Sequence, residues 1–145
     1  MKKFTRILLF TLSLIVLAGC GAAQSTADPN TGKAAAPPKV SVIQKVTPAE
    51  GKALLESGQD IKLIDVRSAD EYKNGHIAKA VNIPLPEVPE KVQAAFPDKT
   101  APIMVYCHSG RRSAEAAARL EAAGYTKIYD LGGIKDWPYE VTTAS

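Results

Sequence analysis

The sequence predicts an α/β fold with a mainly parallel sheet and helices on both of its faces. From residue 40 onward, short runs of β-branched and other apolar residues alternate with segments that carry helix-start signals. Crossovers between parallel strands pack helices onto the sheet. We therefore predict one folded domain over residues 40–145.

Five segments have the composition of strands. The first is β-branched, and the others are short apolar runs of the kind found in buried strands. They are Val40–Val46, Ile61–Val66, Ala80–Ile83, Pro102–Tyr106 and Lys127–Leu131. In open sheets of this class, ligands bind just beyond the carboxyl ends of the strands, so the residues that follow these runs are candidate site residues.

Four segments carry helix signals. Two of them open with a capping box, in which a Ser or Thr and the Glu three residues later satisfy each other's backbone donors. These boxes are Thr47–Glu50 and Ser68–Glu71. The other two helices are predicted over Pro86–Phe96, where the signals are weaker, and over Arg112–Ala123, which ends before Gly124.

The first 19 residues carry export signals. They contain three basic residues and no acidic one, and an apolar run extends from Ile7 to Ala18. This run is shorter than the ~20 residues that span a membrane and has the length of a secretory signal core. The Leu-Ala-Gly-Cys sequence ending at Cys20 resembles the bacterial lipobox, which implies that residues 1–19 are removed and Cys20 is diacylated. An ordinary cleaved signal peptide and an uncleaved anchor helix are the alternatives.

Residues 20–39 are predicted to be a flexible tether that begins at the lipid anchor. Gly21–Lys39 consists mostly of small and polar residues, too few of them large and apolar to offset the entropy lost on ordering. We therefore expect a lipid-anchored protein of the bacterial cell envelope, with its domain outside the cytoplasm. Whether the inner or the outer membrane holds it stays open.

Charge and composition narrow the function classes. The formal charge is +3, but removing the three basic residues of the export signal leaves 15 basic and 15 acidic residues. No basic stripe is present, so nucleic-acid binding is not expected. With two His and two Cys in the chain, neither a zinc cluster nor another protein-only metal site is expected, and we predict no cofactor.

Cys107 is the candidate nucleophile. It follows an apolar strand, and if Cys20 is acylated it is an unpaired thiol in an oxidising compartment. Such a thiol is either buried and inert or present for its reactivity. The six residues after it are polar, glycine or charged, which favours an open loop.

Residues 107–112, called here the Cys107 loop, favour a bound anion. A strand that turns tightly into a helix points several backbone N–H groups into one concavity, and Gly110 permits the necessary backbone angles. A thiolate is stabilised in such a cradle, so no general base is required and a base role for His108 is not favoured. The residues expected to bind substrate are His108, Ser109, Gly110, Arg111, Arg112 and Ser113.

Cys107, Gly110, Arg112 and Ser113 form the pattern Cys-x-x-Gly-x-Arg-Ser, which resembles the active-site loop of the rhodanese family. Further matching stretches follow in the family's order between about Val40 and Tyr139. They are Leu63–Arg67, Glu71-Tyr72, Gly75–Ile77, Ala80–Pro84, Gly124-Tyr125 and Leu131–Trp137. The resemblance implies a single rhodanese domain built on a five-stranded parallel sheet.

The resemblance also implies a reaction. Cys107 would attack the outer sulfur of thiosulfate, release sulfite and hold a persulfide, which a thiol acceptor then discharges. The acceptor would be a small molecule or a thioredoxin-like protein, and we expect a monomer. A non-catalytic binding module at the membrane surface is one alternative, disfavoured by the intact Cys107. An arsenate reductase or phosphatase is another, disfavoured because only four residues separate Cys107 from Arg112, where cell-cycle phosphatases have five.

Asp65 and Arg67 end a neighbouring predicted strand and are expected to reach the same edge of the sheet as Cys107. One interpretation is an electrostatic frame that touches the substrate anion. The favoured interpretation is an ion pair with Glu71 or Arg112 that fixes the shape of the loop.

Overall fold

The computed structural model describes residues 42–143, and its elements follow the predicted alternation of strands and helices. The export signal, Cys20 and the tether lie outside these residues. The strands are β1 (Ile43–Lys45), β2 (Lys62–Asp65), β3 (Val81–Asn82), β4 (Ile103–Cys107) and β5 (Ile128–Gly133). The helices are α1 (Pro48–Glu56), α2 (Ala69–Lys73), α3 (Glu90–Ala95) and α4 (Arg111–Ala122).

Local sequence signals set most of these boundaries. Both capping boxes form, with Thr47 and Ser68 as the N-caps of α1 and α2. The single helix predicted over Pro86–Phe96 is wrong. A 3-10 turn at Leu85–Glu87 comes first, and α3 begins only after Pro89, because proline has no N–H to continue a helical ladder.

The five strands form one parallel sheet in the order β1-β5-β4-β2-β3. The predicted α/β class with a five-stranded parallel sheet is therefore confirmed. β4 is the central strand, and all five of its residues are buried. Its carboxyl end, at Cys107, lies between the ends of β2 and β5.

Each face of the sheet has its own apolar core. Along β4, Ile103, Val105 and Cys107 pack with residues of α3 and α4, whereas Met104 and Tyr106 belong to the cluster that contacts α1 and α2. This is the period-2 alternation of a strand buried on both faces. Full burial of each large apolar side chain contributes about 1.5–3 kcal/mol, so both cores hold the carboxyl end of β4 in place.

A β-bulge interrupts the pairing of β4 with β5 next to the Cys107 loop. Val105 pairs with Asp130 and Tyr106 pairs with Gly132, so Leu131 is an extra residue on β5. Gly132 has a φ of +80°, a left-handed conformation that glycine adopts at little cost. The bulge turns the end of β5 toward the loop.

No helix within residues 42–143 is long and apolar enough to cross a membrane.

Candidate active site

Cys107 is the last residue of β4, and its sulfur lies at the start of the loop. The residue is 0% exposed and packs in the core shared with α3 and α4. Its Sγ accepts a hydrogen bond from the backbone N–H of Gly110 at 3.1 Å. The open loop expected at Cys107 therefore begins one residue later, at the exposed His108.

Gly110 makes the turn that brings its own N–H toward the sulfur. Its φ is +95° and it is the N-cap of α4, which begins at Arg111, one residue earlier than predicted. Any residue with a Cβ at position 110 would have a strained backbone conformation, and its Cβ would contact Gly132 Cα at 3.6 Å. The first turn of the 12-residue helix α4 therefore starts directly beside the Cys107 sulfur, where unpaired N–H groups favour negative charge.

Residues at the end of β5 and just after it pack against the backbone of the Cys107 loop. A Cβ on Gly133 would come within 2.6 Å of the carbonyl oxygen of His108 and 2.8 Å of Ser109 Cα. The backbone N–H of Lys135 donates to the same His108 oxygen at 3.2 Å. Only glycine at position 133 allows this approach.

Ser113 is buried beneath the loop and is hydrogen-bonded to Asp130, a residue that was not predicted to belong to the site. Ser113 Oγ lies 2.6 Å from Asp130 Oδ1 and 3.0 Å from the carbonyl oxygen of Gly110. Ser113, predicted to bind substrate, thus contacts the backbone at the start of α4 and a carboxylate of β5. The one sequence signal for Asp130 is a lone carboxylate in an apolar strand, and its partner 17 residues away depends on the tertiary structure.

Arg112 is held by Glu71. Its two terminal nitrogens donate to the two carboxylate oxygens of Glu71, each at 2.8 Å. These hydrogen bonds, together with those from Ser68, lower the pKa of Glu71 to about 2, and the bonds to Glu71 raise the pKa of Arg112. Glu71 also closes the capping box of α2, so the fork geometry of this pair joins the start of α2 to the start of α4.

Asp65 and Arg67 pair with each other. Arg67 donates from Nη2 to Asp65 Oδ2 at 2.6 Å and to the carbonyl oxygen of Gly75 at 2.6 Å. Burial opposes ionisation of Arg67, but its hydrogen bond to Asp65 raises the pKa of the guanidinium. The favoured ion pair of these residues with Glu71 or Arg112 is therefore wrong. Because Asp65 lies only two residues from Arg67 along the chain, the two charges pair with each other locally, between β2 and the turn that follows it.

Three predicted substrate-binding residues lie at the surface. The structure exposes His108, Ser109 and Arg111. Within residues 42–143, the Arg111 guanidinium has no hydrogen-bond or ion-pair partner. In the same part of the chain, no group of three or more His, Cys, Asp or Glu side chains is arranged to hold a metal ion. Among residues 42–143, the arrangement presents a buried sulfur beneath an exposed rim, formed by His108, Ser109 and Arg111, on which the Arg111 cation is unpaired.

The chain is similar in sequence to known proteins. The model of the rhodanese-like domain family matches residues 47–139. Thiosulfate sulfurtransferase PspE of Escherichia coli is 45% identical over 73 residues, which cover 50% of this chain and 70% of that protein. The uncharacterized protein YqhL of Bacillus subtilis is 38% identical over 97 residues, covering 66% of this chain and 73% of YqhL.

Solved structures agree with the fold. A rhodanese with anions from E. coli superimposes with a TM-score of 0.55 and 39% identity, covering 58% of this chain and 99% of that one. A rhodanese-like domain protein from Staphylococcus aureus gives a TM-score of 0.63 and 29% identity, covering 70% of this chain and 99% of that one.

Proposed function

The chain belongs to the rhodanese-like domain family, and we propose that it is a sulfurtransferase that uses Cys107 to move a sulfane sulfur from thiosulfate, or from a persulfide donor, to a thiophilic acceptor. The contact between Cys107 Sγ and the Gly110 N–H, at the start of α4, carries this proposal. A backbone N–H directed at the sulfur supports a loop that binds an anionic sulfur during transfer. Sulfurtransferase activity in relatives such as PspE supports the same chemistry.

The reaction has two displacement steps. In the first, the Cys107 thiolate attacks the outer sulfur of thiosulfate, a sulfur–sulfur bond forms, and sulfite leaves with the electron pair of the bond that breaks. In the second, an acceptor thiolate or cyanide attacks the outer sulfur of the Cys107 persulfide, and Cys107 leaves as the thiolate. No electron or proton has to be supplied from elsewhere, because each step exchanges one anionic sulfur or carbon nucleophile for another.

The loop residues divide these tasks. Arg111 has the free cation that attracts the thiosulfate dianion, while Arg112 is occupied by Glu71 and holds the loop in shape. His108 and Ser109 are the other two residues of the exposed rim, and donor and acceptor approach the sulfur past them. The amides of the loop stabilise the persulfide once it has formed.

Two other functions are less well supported. A phosphatase or arsenate reductase needs a wider cradle than the four residues between Cys107 and Arg112 provide. A non-catalytic binding module has no need of an intact Cys107 with a backbone N–H aimed at its sulfur.

A thiosulfate:cyanide assay on the purified full-length chain tests the proposal, with thiocyanate as the readout. We expect Cys107→Ser to abolish activity, since the hydroxyl cannot form a persulfide. Cys20→Ser is the matched control and should retain wild-type activity, because it removes the other cysteine of the chain. Thiocyanate formation that persists in Cys107→Ser would refute the nucleophile. Hydrolysis of an aryl phosphate by the wild type but not by Cys107→Ser would favour the phosphatase.

We also propose that Cys20 is lipidated and holds the domain at a membrane of the bacterial cell envelope. The basic start, the apolar run and the lipobox-like sequence support this location. Intact mass of the protein extracted from bacterial membranes should show acyl chains on Cys20 and the absence of residues 1–19. An unacylated Cys20→Ser variant is the expected control, and an unacylated wild type would contradict the proposal.

A further inference from the structure

Asp130 is a buried carboxylate beneath the Cys107 loop. It lies in β5 between Lys45 of β1 and Val105 of β4, and it is only 5% exposed. Among residues 42–143 it forms no ion pair with a Lys, Arg or His. A carboxylate in this position loses its hydration, and hydrogen bonds from the protein must replace it. The groups that donate these hydrogen bonds therefore indicate the role of Asp130.

Those donors belong to the two elements that meet at the loop. Asp130 Oδ1 accepts from Ser113 Oγ at 2.6 Å and from the backbone N–H of Gly132 at 3.1 Å. Ser113 is the third residue of α4, and Gly132 directly follows the bulged residue of β5. One carboxylate oxygen therefore joins the first turn of α4 to the end of β5.

The same two elements set the position of the Gly110 N–H. Gly110 precedes α4 directly and approaches Gly132 closely enough that a Cβ would contact Gly132 Cα at 3.6 Å. Its carbonyl oxygen is also 3.0 Å from Ser113 Oγ. A shift of β5 against α4 would therefore move the N–H that donates to Cys107 Sγ. Misplacements of about 1 Å can cost a hundredfold in rate.

We propose that Asp130 is a positioning residue for sulfur transfer, acting through Ser113 and Gly132 to hold the Gly110 N–H against the Cys107 sulfur. The inference rests on the proposed sulfurtransferase function. It differs from a purely structural role because the loss should fall on persulfide formation more than on stability.

The experiment measures sulfite release in a single turnover with thiosulfate, and amide hydrogen exchange at Gly110, on the full-length protein. Asp130→Ala should slow sulfite release by at least about tenfold and speed exchange at Gly110. Asp130→Asn keeps an acceptor oxygen for both donors and should restore the rate to within about threefold of wild type. Asp98→Ala, at an exposed carboxylate that caps Thr100, is the control and should match wild type.

The outcomes separate the inference from the proposed function. A wild type that releases no sulfite refutes the function, while Gly110 exchange still reports whether Asp130 holds the loop. A wild-type rate in Asp130→Ala, or equal losses in Asp130→Ala and Asp130→Asn, overturns the positioning role. If Asp130→Ala does not fold, Ser113→Ala replaces it, because this variant removes one of the two hydrogen bonds to Asp130 Oδ1. Unchanged sulfite release and unchanged Gly110 exchange in Ser113→Ala would overturn the inference.

Discussion

The upper and lower sides of the Cys107 loop are built differently. On the upper side, His108, Ser109 and Arg111 are exposed, and the Arg111 cation has no partner within residues 42–143. On the lower side, Ser113 and Asp130 are buried and hydrogen-bonded to each other. The difference indicates that the upper side is available to substrate, whereas the lower side fixes the backbone that holds the sulfur.

The same division separates the carboxylate–arginine pairs near the loop. The Asp65–Arg67 pair is almost fully buried, while the Glu71 and Arg112 side chains are 34% and 26% exposed. Buried pairs cost much when broken, and exposed pairs contribute little. Substitutions in these two pairs should therefore affect stability in proportion to their burial, whereas substitutions on the exposed rim should raise the KM for thiosulfate.

The largest effect on stability is expected from Asp65→Ala. The substitution leaves the Arg67 guanidinium and the Arg67 backbone N–H without their buried acceptor, which should lower the free energy of unfolding by about 3–5 kcal/mol. Chemical denaturation measures this. Asp60→Ala, at an exposed carboxylate paired with Lys62, should cost about 0.5 kcal/mol or less. A loss of unfolding free energy below about 1 kcal/mol in Asp65→Ala would contradict the expected difference between buried and exposed ion pairs.

Arg111→Gln should change substrate use and leave stability intact. Loss of the one unpaired cation on the rim should raise KM for thiosulfate about fivefold, as for an exposed charge-assisted contact worth about 1 kcal/mol. Steady-state thiocyanate assays and thermal melts measure the two quantities. Arg112→Gln is the matched comparison and should lower Tm, because it leaves Glu71 without its bidentate partner. Equal KM values in wild type and Arg111→Gln would place the anion site elsewhere.

The smallest effect is the pH dependence of the Glu71–Arg112 pair. Because the pKa of Glu71 is about 2 in the folded protein and 4.5 is its ordinary value, the pair stabilises the fold above about pH 4.5. That contribution is lost as the pH falls toward 2. Partial exposure limits it to about 1 kcal/mol.

Glu71→Gln isolates this contribution, because Gln can still complete the capping box. Its Tm should lie below that of wild type at pH 7 and approach it as the pH falls below 3. Glu50→Gln is the matched control, since Glu50 closes the other capping box and forms no ion pair with Arg, Lys or His among the described residues. A Tm difference for Glu71→Gln that does not change with pH would show that the ion pair contributes nothing.

Local patterns predicted most of the fold. The capping boxes at Thr47 and Ser68 set the starts of α1 and α2, because their hydrogen bonds form within four residues. The single helix predicted before Phe96 does not form, because Pro89 interrupts it and α3 begins only after this proline. Cys107 lies at a strand end, as the sequence predicts, but its burial depends on packing against α3 and α4.

The network beneath the loop could not be predicted in the same way. Glu71 and Arg112 are 41 residues apart, and Ser113 and Asp130 are 17 apart. Their pairing depends on how α2 and β5 meet α4. The β-bulge at Leu131, which sets the register of Asp130 and Gly132, arises only when β4 and β5 pair.

The central claim is that Cys107 carries the transferred sulfur. Intact mass of the full-length protein after thiosulfate treatment, followed by peptide mapping, tests it most directly. We predict one added sulfur atom, located on Cys107, that is removed by cyanide and absent in Cys107→Ser. No added sulfur, or a sulfur found on Cys20 or any residue other than Cys107, would contradict the claim.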